Sequence, residues 1–296
     1  MRTVIAMIAA LTLISACSNP VARQQVYGAG TARIGESLAV LGWNMSVSNL
    51  RWQDDYVLVD VDAAPSDPAK PHADARDIRF GLYGALAHPM EAVGIGSCDG
   101  VKNVVMQSLS VAGGKRLTGT VCLGPMKDRA AVRGVYLYSP RDRIAETAAA
   151  YPAAFPVGLL PTKESDTGLV VRTTSVAAWR ADGSQLNQQS LGDPTAFSGS
   201  GYMLLGLQAD TIAAKYRDDS AARGGPMMLL ASPTLPPPGL NPACTAYGPS
   251  VLILPEASLD AVHVNASLCT QGELNDALLY ATVSIVGTHA AVWNVQ

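Results

Sequence analysis

Charge is scarce in this chain. Only 15% of its 296 residues are charged, and Lys+Arg 21 against Asp+Glu 24 leave −3. A surface so short of positive charge has no means of holding nucleic acid by counterion release. With 48% apolar residues, a disordered, collagen-like or coiled-coil chain is excluded as well. Long helical periodicity is missing. No G-x-S-x-G elbow, P-loop, H-E-x-x-H, G-x-G-x-x-G or C-x-x-C occurs. Serine hydrolysis, phosphate cradling, zinc chemistry and a redox pair therefore lack their usual signatures. Past the amino end, no run of about 18 residues stays apolar without polar breaks, so no further segment reads as a membrane helix.

What is present begins at the amino end. Met1 and Arg2 precede an apolar run, Val4 to Ile14, too short for a bilayer that needs about 20 residues. It reads as a signal peptide over 1–16. Ile14-Ser15-Ala16-Cys17 resembles a bacterial lipobox. That resemblance implies that Cys17 is acylated, palmitate being one such chain, and anchors the protein to the cell membrane on its extracytoplasmic face. An ordinary secretory signal with a chance cysteine is the alternative. Residues 17–34 are polar and Gly-rich, and read as a flexible tether.

The remainder repeats a pattern. WNMSVSNLRW at 43–52 leads through an acidic turn into YVLVDVDA, and LVVRTTSVAAW at 169–179 leads through Asp182-Gly183 toward GYMLLGLQAD. Val57, Val59 and Val61 alternate with Tyr56, Leu58 and Asp60, as in a half-buried antiparallel strand. Val262 and Val264 alternate with His263 and Asn265 in the same way. Short strands between Gly, Pro, Asn and Asp suggest β-sandwiches. The expected fold is all-β, with two tandem immunoglobulin-like β-sandwich domains at 35–145 and 167–296, a linker at 146–166, and a long insertion around 183–243. The best helical candidates are 144–155 and 210–223.

Five cysteines are an odd number, accounted for as Cys17 for the anchor and two pairs. The repeat pairs Cys98 with Cys122 and Cys244 with Cys269, so that each bond staples one domain. Export favours such bonds. A metal site or redox pair is the weaker alternative, since metal sites show tighter ligand pairs.

Candidate chemistry is thin, and no catalytic residue, metal ligand or cofactor is assigned. The four histidines are His72, His88, His263 and His289. His88-Pro89-Met90 could bind copper with another soft ligand, or be a partly buried loop. His263 could join Asp260 and a serine, a grouping that a search of any such chain would find. Asp60 and Asp62 share one strand face and suit acid–base work, calcium, or plain solvation. Asp54-Asp55 and Asp218-Asp219 read as turns. Asn44-Met45-Ser46 and Asn265-Ala266-Ser267 match the glycosylation acceptor. Trp43, Trp52, Trp179 and Trp293 read as core residues, or as exposed platforms for a sugar or partner.

DIRFGLYG and HPMEAVGIGSC, followed by LTGTVCLGPMKDRAAVRGVYLYSPRDRI, span residues 77–144. They resemble the extracytoplasmic lipoproteins of actinobacteria with immunoglobulin-like domains. That resemblance implies export and the sandwich fold, and little chemistry. The expected function is a membrane-anchored, non-enzymatic binding or scaffolding module for an envelope protein, glycan or lipid. The alternatives are a carrier of an apolar envelope lipid in a cleft, and a hydrolase with a loop site.

Overall fold

Where the sequence alternates, the chain is extended. The computed structural model describes residues 30–148 apart from 85, 87–88, 104–105 and 114, and then 153–156, 169–179, 185, 202–212, 227–232, 251–254, 261–271 and 280–295. These residues are all-β, with two single 3-10 turns at 75–77 and 129–131.

Nine strands come from the first half. They are β1 (Gly30–Arg33), β2 (Ser37–Val40), β3 (Trp43–Gln53), β4 (Tyr56–Pro65), β5 (Arg79–Gly84), β6 (Glu91–Val93), β7 (Ser110–Ala112), β8 (Arg116–Leu123) and β9 (Val132–Ala148). β10 (Ala153–Pro156), β11 (Leu169–Trp179), β12 (Tyr202–Ile212), β13 (Met227–Ser232), β14 (Val251–Leu254), β15 (Ala261–Gln271) and β16 (Tyr280–Asn294) follow. One sheet has the order β2-β3-β4-β8-β7, and a second runs β14-β13-β16-β9-β5-β6, with β1 and β10 also on β16. β11-β12-β15 form a third sheet.

The first two sheets enclose a core. Trp43, Met45 and Val47 on β3 and Val57, Val59 and Val61 on β4 meet Phe80 and Leu82 on β5, Val135 and Leu137 on β9, and Trp293 on β16. The odd-numbered valines of β4 face inward and Asp60 and Asp62 outward, as the alternation predicts. The two buried tryptophans give up hydration of the indole N–H and each recovers an acceptor. Trp43 Nε1 donates to Ala73 O at 3.0 Å, and Trp293 Nε1 to Glu36 O at 3.0 Å.

Cys98 and Cys122 are joined. The bond lies outside the sandwich core, in a small cluster with Leu58, Tyr56 and Val101. It fastens the connection between β6 and β7 onto the outer side of β4 and β8. An inter-sheet disulfide packed on a tryptophan, the hallmark of antibody domains, is not the arrangement here.

Two separate tandem sandwiches are not confirmed. β16 runs parallel to β1 over 291–294 and antiparallel to β9 over 290–294, which places it in the first sandwich. Its other end pairs with β13 over 280–285 and with β10 over 280–283. The expected linker contains the end of β9 and all of β10, and the expected tether ends in β1. Both helical candidates are extended wherever they are described, at 144–148, 153–155 and 210–212. Alternation decides which residues face a core, and it does not decide which strand lies alongside. A repeated pattern therefore need not repeat its pairing.

Candidate functional site

The site is built from a tight turn. Val40 pairs with Trp43, so Leu41 and Gly42 form a two-residue hairpin loop between β2 and β3. Both have positive φ, 56° and 79°, as a type I′ turn requires. Gly42 is needed for a second reason. A Cβ there would stand 2.7 Å from the His72 Cα and 2.8 Å from the Pro71 carbonyl oxygen. The connection that follows β4 thus lies directly against the turn.

Hydrogen bonds hold it there. Ser66 donates to the Gly42 carbonyl from its backbone N–H at 2.8 Å and from its hydroxyl at 2.9 Å. The Ala73 N–H donates to the Leu41 carbonyl at 2.9 Å. The His72 ring rests on Trp43, centroids 4.2 Å apart and planes tilted by 52°. Asp74 then caps the 3-10 turn, its carboxylate accepting the Arg76 N–H at 2.9 Å. Asp77 pairs with Arg141 of β9 at 3.4 Å.

Between these walls and β9 lies an open cleft of about 660 Å³. Leu38, Ala39, Val40 and Leu41 of the β2 hairpin line it together with His72, Asp74, Asp77, Arg141 and Asp142. Asp77 is ion-paired with Arg141 among these lining residues. Ser66, His72 and Asp74 each hydrogen-bond to backbone groups rather than to one another. The arrangement can receive polar groups beside the apolar side chains of the β2 hairpin.

A second polar cluster covers the outer side of β3, β4 and β8. Asp60 accepts from Asn49 Nδ2 at 2.7 Å, Arg51 Nη2 at 2.9 Å and Thr120 Oγ1 at 2.8 Å. Burial pushes its carboxyl up, but these three hydrogen bonds and the Arg51 charge together outweigh that, and it titrates below the ordinary carboxylate value. Asp62 is lowered too, chiefly by its hydrogen bond from Arg116. Both carboxylates are thus occupied by neighbours on their own sheet. Among the described residues, no group of three or more His, Cys, Asp or Glu is placed to hold a metal ion.

The remaining candidates scatter. Trp43 and Trp293 are core residues, and Trp52 is half-buried with the Arg129 guanidinium 5.0 Å above its ring. Asp54 holds φ 51° in the β3–β4 turn, as expected of a turn residue. Asn44 is exposed on β3, and Asn265 lies on β15. Trp179 ends β11, and His289 lies on β16. His263 on β15 pairs in register with Asp210 of β12, while Asp260 lies outside the described residues. Cys269 is on β15 opposite Leu204. Cys17, His88, Asp218-Asp219 and Cys244 lie outside the described residues. The cleft itself went unread in the sequence. Its signals were Leu-Gly between two β runs and the turn-rich PSDPAKPHADAR at 65–76.

Comparison with protein families, with curated proteins and with solved structures finds no match to this chain.

Proposed function

We propose that this is a lipid-anchored envelope lipoprotein on the extracytoplasmic face of the membrane, acting as a non-enzymatic binding or scaffolding module. The observation that carries the reading is the order of features at the amino end: a basic residue, a short apolar run, small residues and Cys17. The Cys98–Cys122 disulfide fits an oxidising compartment. The cleft beside β2 is the surface it offers to a ligand.

The carrier reading draws no support from the first sandwich, whose interior is filled by Trp43, Met45, Phe80 and Trp293. The hydrolase reading is given no linked His–Asp–Ser grouping in the cleft. The test has two arms. Cys17→Ala should move the protein out of the membrane fraction, and unchanged partitioning would refute the anchor. Crosslinking in the native envelope, followed by mass spectrometry, should recover one recurrent protein, glycan or lipid. Recovery of nothing above background would refute the binding role.

A further inference from the structure

We propose that Met106 is a site of oxidation by a hydroperoxide, and that Arg51 holds the sulfoxide formed, so that oxidation fastens the connection between β6 and β7 onto the sheet beneath it. Such a site is separate from the cleft and does not depend on what the protein binds.

Met106 lies in that connection and is 42% exposed. Met45 is fully buried in the sandwich core, and Met90 and Met126 are half-buried against it. A thioether meets peroxide where solvent reaches it. Among these four, Met106 is therefore the one presented to the reagent.

Its sulfur touches an unusual neighbour. Arg51 Nη2 donates to Met106 Sδ. The same guanidinium donates from Nη1 to the Asn49 carbonyl at 2.9 Å and from Nη2 to Asp60 Oδ1 at 2.9 Å. A thioether is a weak acceptor for so strong a donor. Arg51 Nε is buried and has no partner among the described residues. A buried N–H left unpaired is costly. Nε and Nη2 lie on one edge of the planar guanidinium, the fork that grips oxygen acceptors.

Oxidation supplies the missing acceptor. A sulfur lone pair attacks the hydroxyl oxygen of the hydroperoxide. The S–O bond forms as the O–O bond breaks, and the proton on the transferred oxygen goes to the departing oxygen. Hydrogen peroxide thus gives the sulfoxide and water, with sulfur oxidised and peroxide reduced by two electrons each. The new oxygen sits on the atom that already faces Nη2. It replaces a poorly matched contact with a charge-assisted hydrogen bond and brings an acceptor to the Nε edge. Sulfoxides usually loosen a structure by disrupting apolar packing. An exposed methionine has little such packing to lose, so here the gain prevails. The Cys98–Cys122 bond already fastens the same connection to β8, and Met106 is a second fastening that an oxidant tightens.

The test treats the full chain with graded hydrogen peroxide and follows each methionine by peptide mass mapping. Met106 should gain oxygen at least about threefold faster than Met90 and Met126. In the protein oxidised at Met106 alone, the amides of 106–109 should exchange about threefold or more slowly. The Arg51 Nε–H signal should shift and become protected. Met106→Leu has no sulfur, and peroxide should leave its 106–109 amides unchanged. Arg51→Lys keeps the charge and loses the fork, so oxidation there should speed exchange. If Arg51→Lys fails to fold, the Arg51 Nε–H signal decides. Oxidation of Met106 no faster than of Met90 and Met126 would overturn the proposal. So would unchanged or faster exchange after oxidation, an unmoved Nε–H signal, or the same slowing in either variant.

Discussion

The two outer faces of the first sandwich are made of similar strands and meet opposite surroundings. On β4 the outward positions of the central stretch are Asp60 and Asp62, engaged with Arg51, Asn49, Thr120 and Arg116 in partial contact with water. On β9 the outward positions are Tyr136 and Tyr138, both fully buried. Their hydroxyls donate to the two oxygens of Glu91, and the Tyr136 ring lies where a side chain on Gly81 would be. Val292 on β16 is equally buried outside the sandwich core, and β10 runs close to β5. A face open to water keeps alternation, whereas a sheet covered on both sides reads as a nearly continuous apolar run. Val135-Tyr136-Leu137-Tyr138 is such a run. Around β5, β9 and the end of β16 the second sheet is therefore buried on both faces, and β16 ties it to the strands of the second half.

That contrast can be broken from either side. The largest expected effect is on the open side, where Cys98→Ala with Cys122→Ala frees the connection laid over β4 and β8. Unfolding in urea should lose about 3 kcal/mol, from the entropy returned to the unfolded chain. On the covered side, Gly81→Ala puts a methyl 2.2 Å from the Tyr136 ring, and a loss of about 2–3 kcal/mol is expected from overpacking. A harmless Gly81→Ala would mean that the ring is free to move and the face is not closed.

Smaller effects sharpen the difference. Asp60→Ala strips the acceptor from three donors and should cost about 1–2 kcal/mol. Asp62→Ala removes an exposed ion pair with Arg116 and should leave the unfolding midpoint nearly unchanged.

The faces should also answer to opposite ends of the pH scale. Asp60 has a folded value below its ordinary 3.8. Its contribution is complete above that pH and is lost as pH falls through the folded value. Tyr83, on the covered phase of β5, is pushed up to about 12 by burial, against a smaller opposing effect of Arg133. Its contribution is complete below the unfolded value of about 10 and is lost as pH rises toward 12. In pH-dependent unfolding, Asp60→Asn should flatten the acid limb and Tyr83→Phe the alkaline one. The same limb changing in both variants would contradict the assignment of the faces.

Much of this was legible. The alternation at 57–61 placed the β4 valines inward and its aspartates outward, and the spacing of Cys98 and Cys122 about a single β run marked a bond that forms. The runs at 169–179, 251–254 and 261–269 are strands as read. What escaped is non-local. Nothing in the run at 280–294 states that its partners are β1 and β9 from the other end of the sequence. The helical candidate at 144–155 is extended where described, since pairing with neighbouring strands overrides local preference. The cleft escaped because it is made by the contact of a turn with a loop 30 residues downstream, Gly42 against His72, and spacing alone cannot reveal such an approach.

The joining of the two halves through β16 is tested most directly by ending the chain at residue 279. Without β16, both β9 and β1 lose a neighbour, and Trp293 leaves the core. The shortened chain should lose cooperative unfolding of the first sandwich and the amide protection of β9. A chain ending at 279 that unfolds with the midpoint and β9 protection of the full protein would contradict the account.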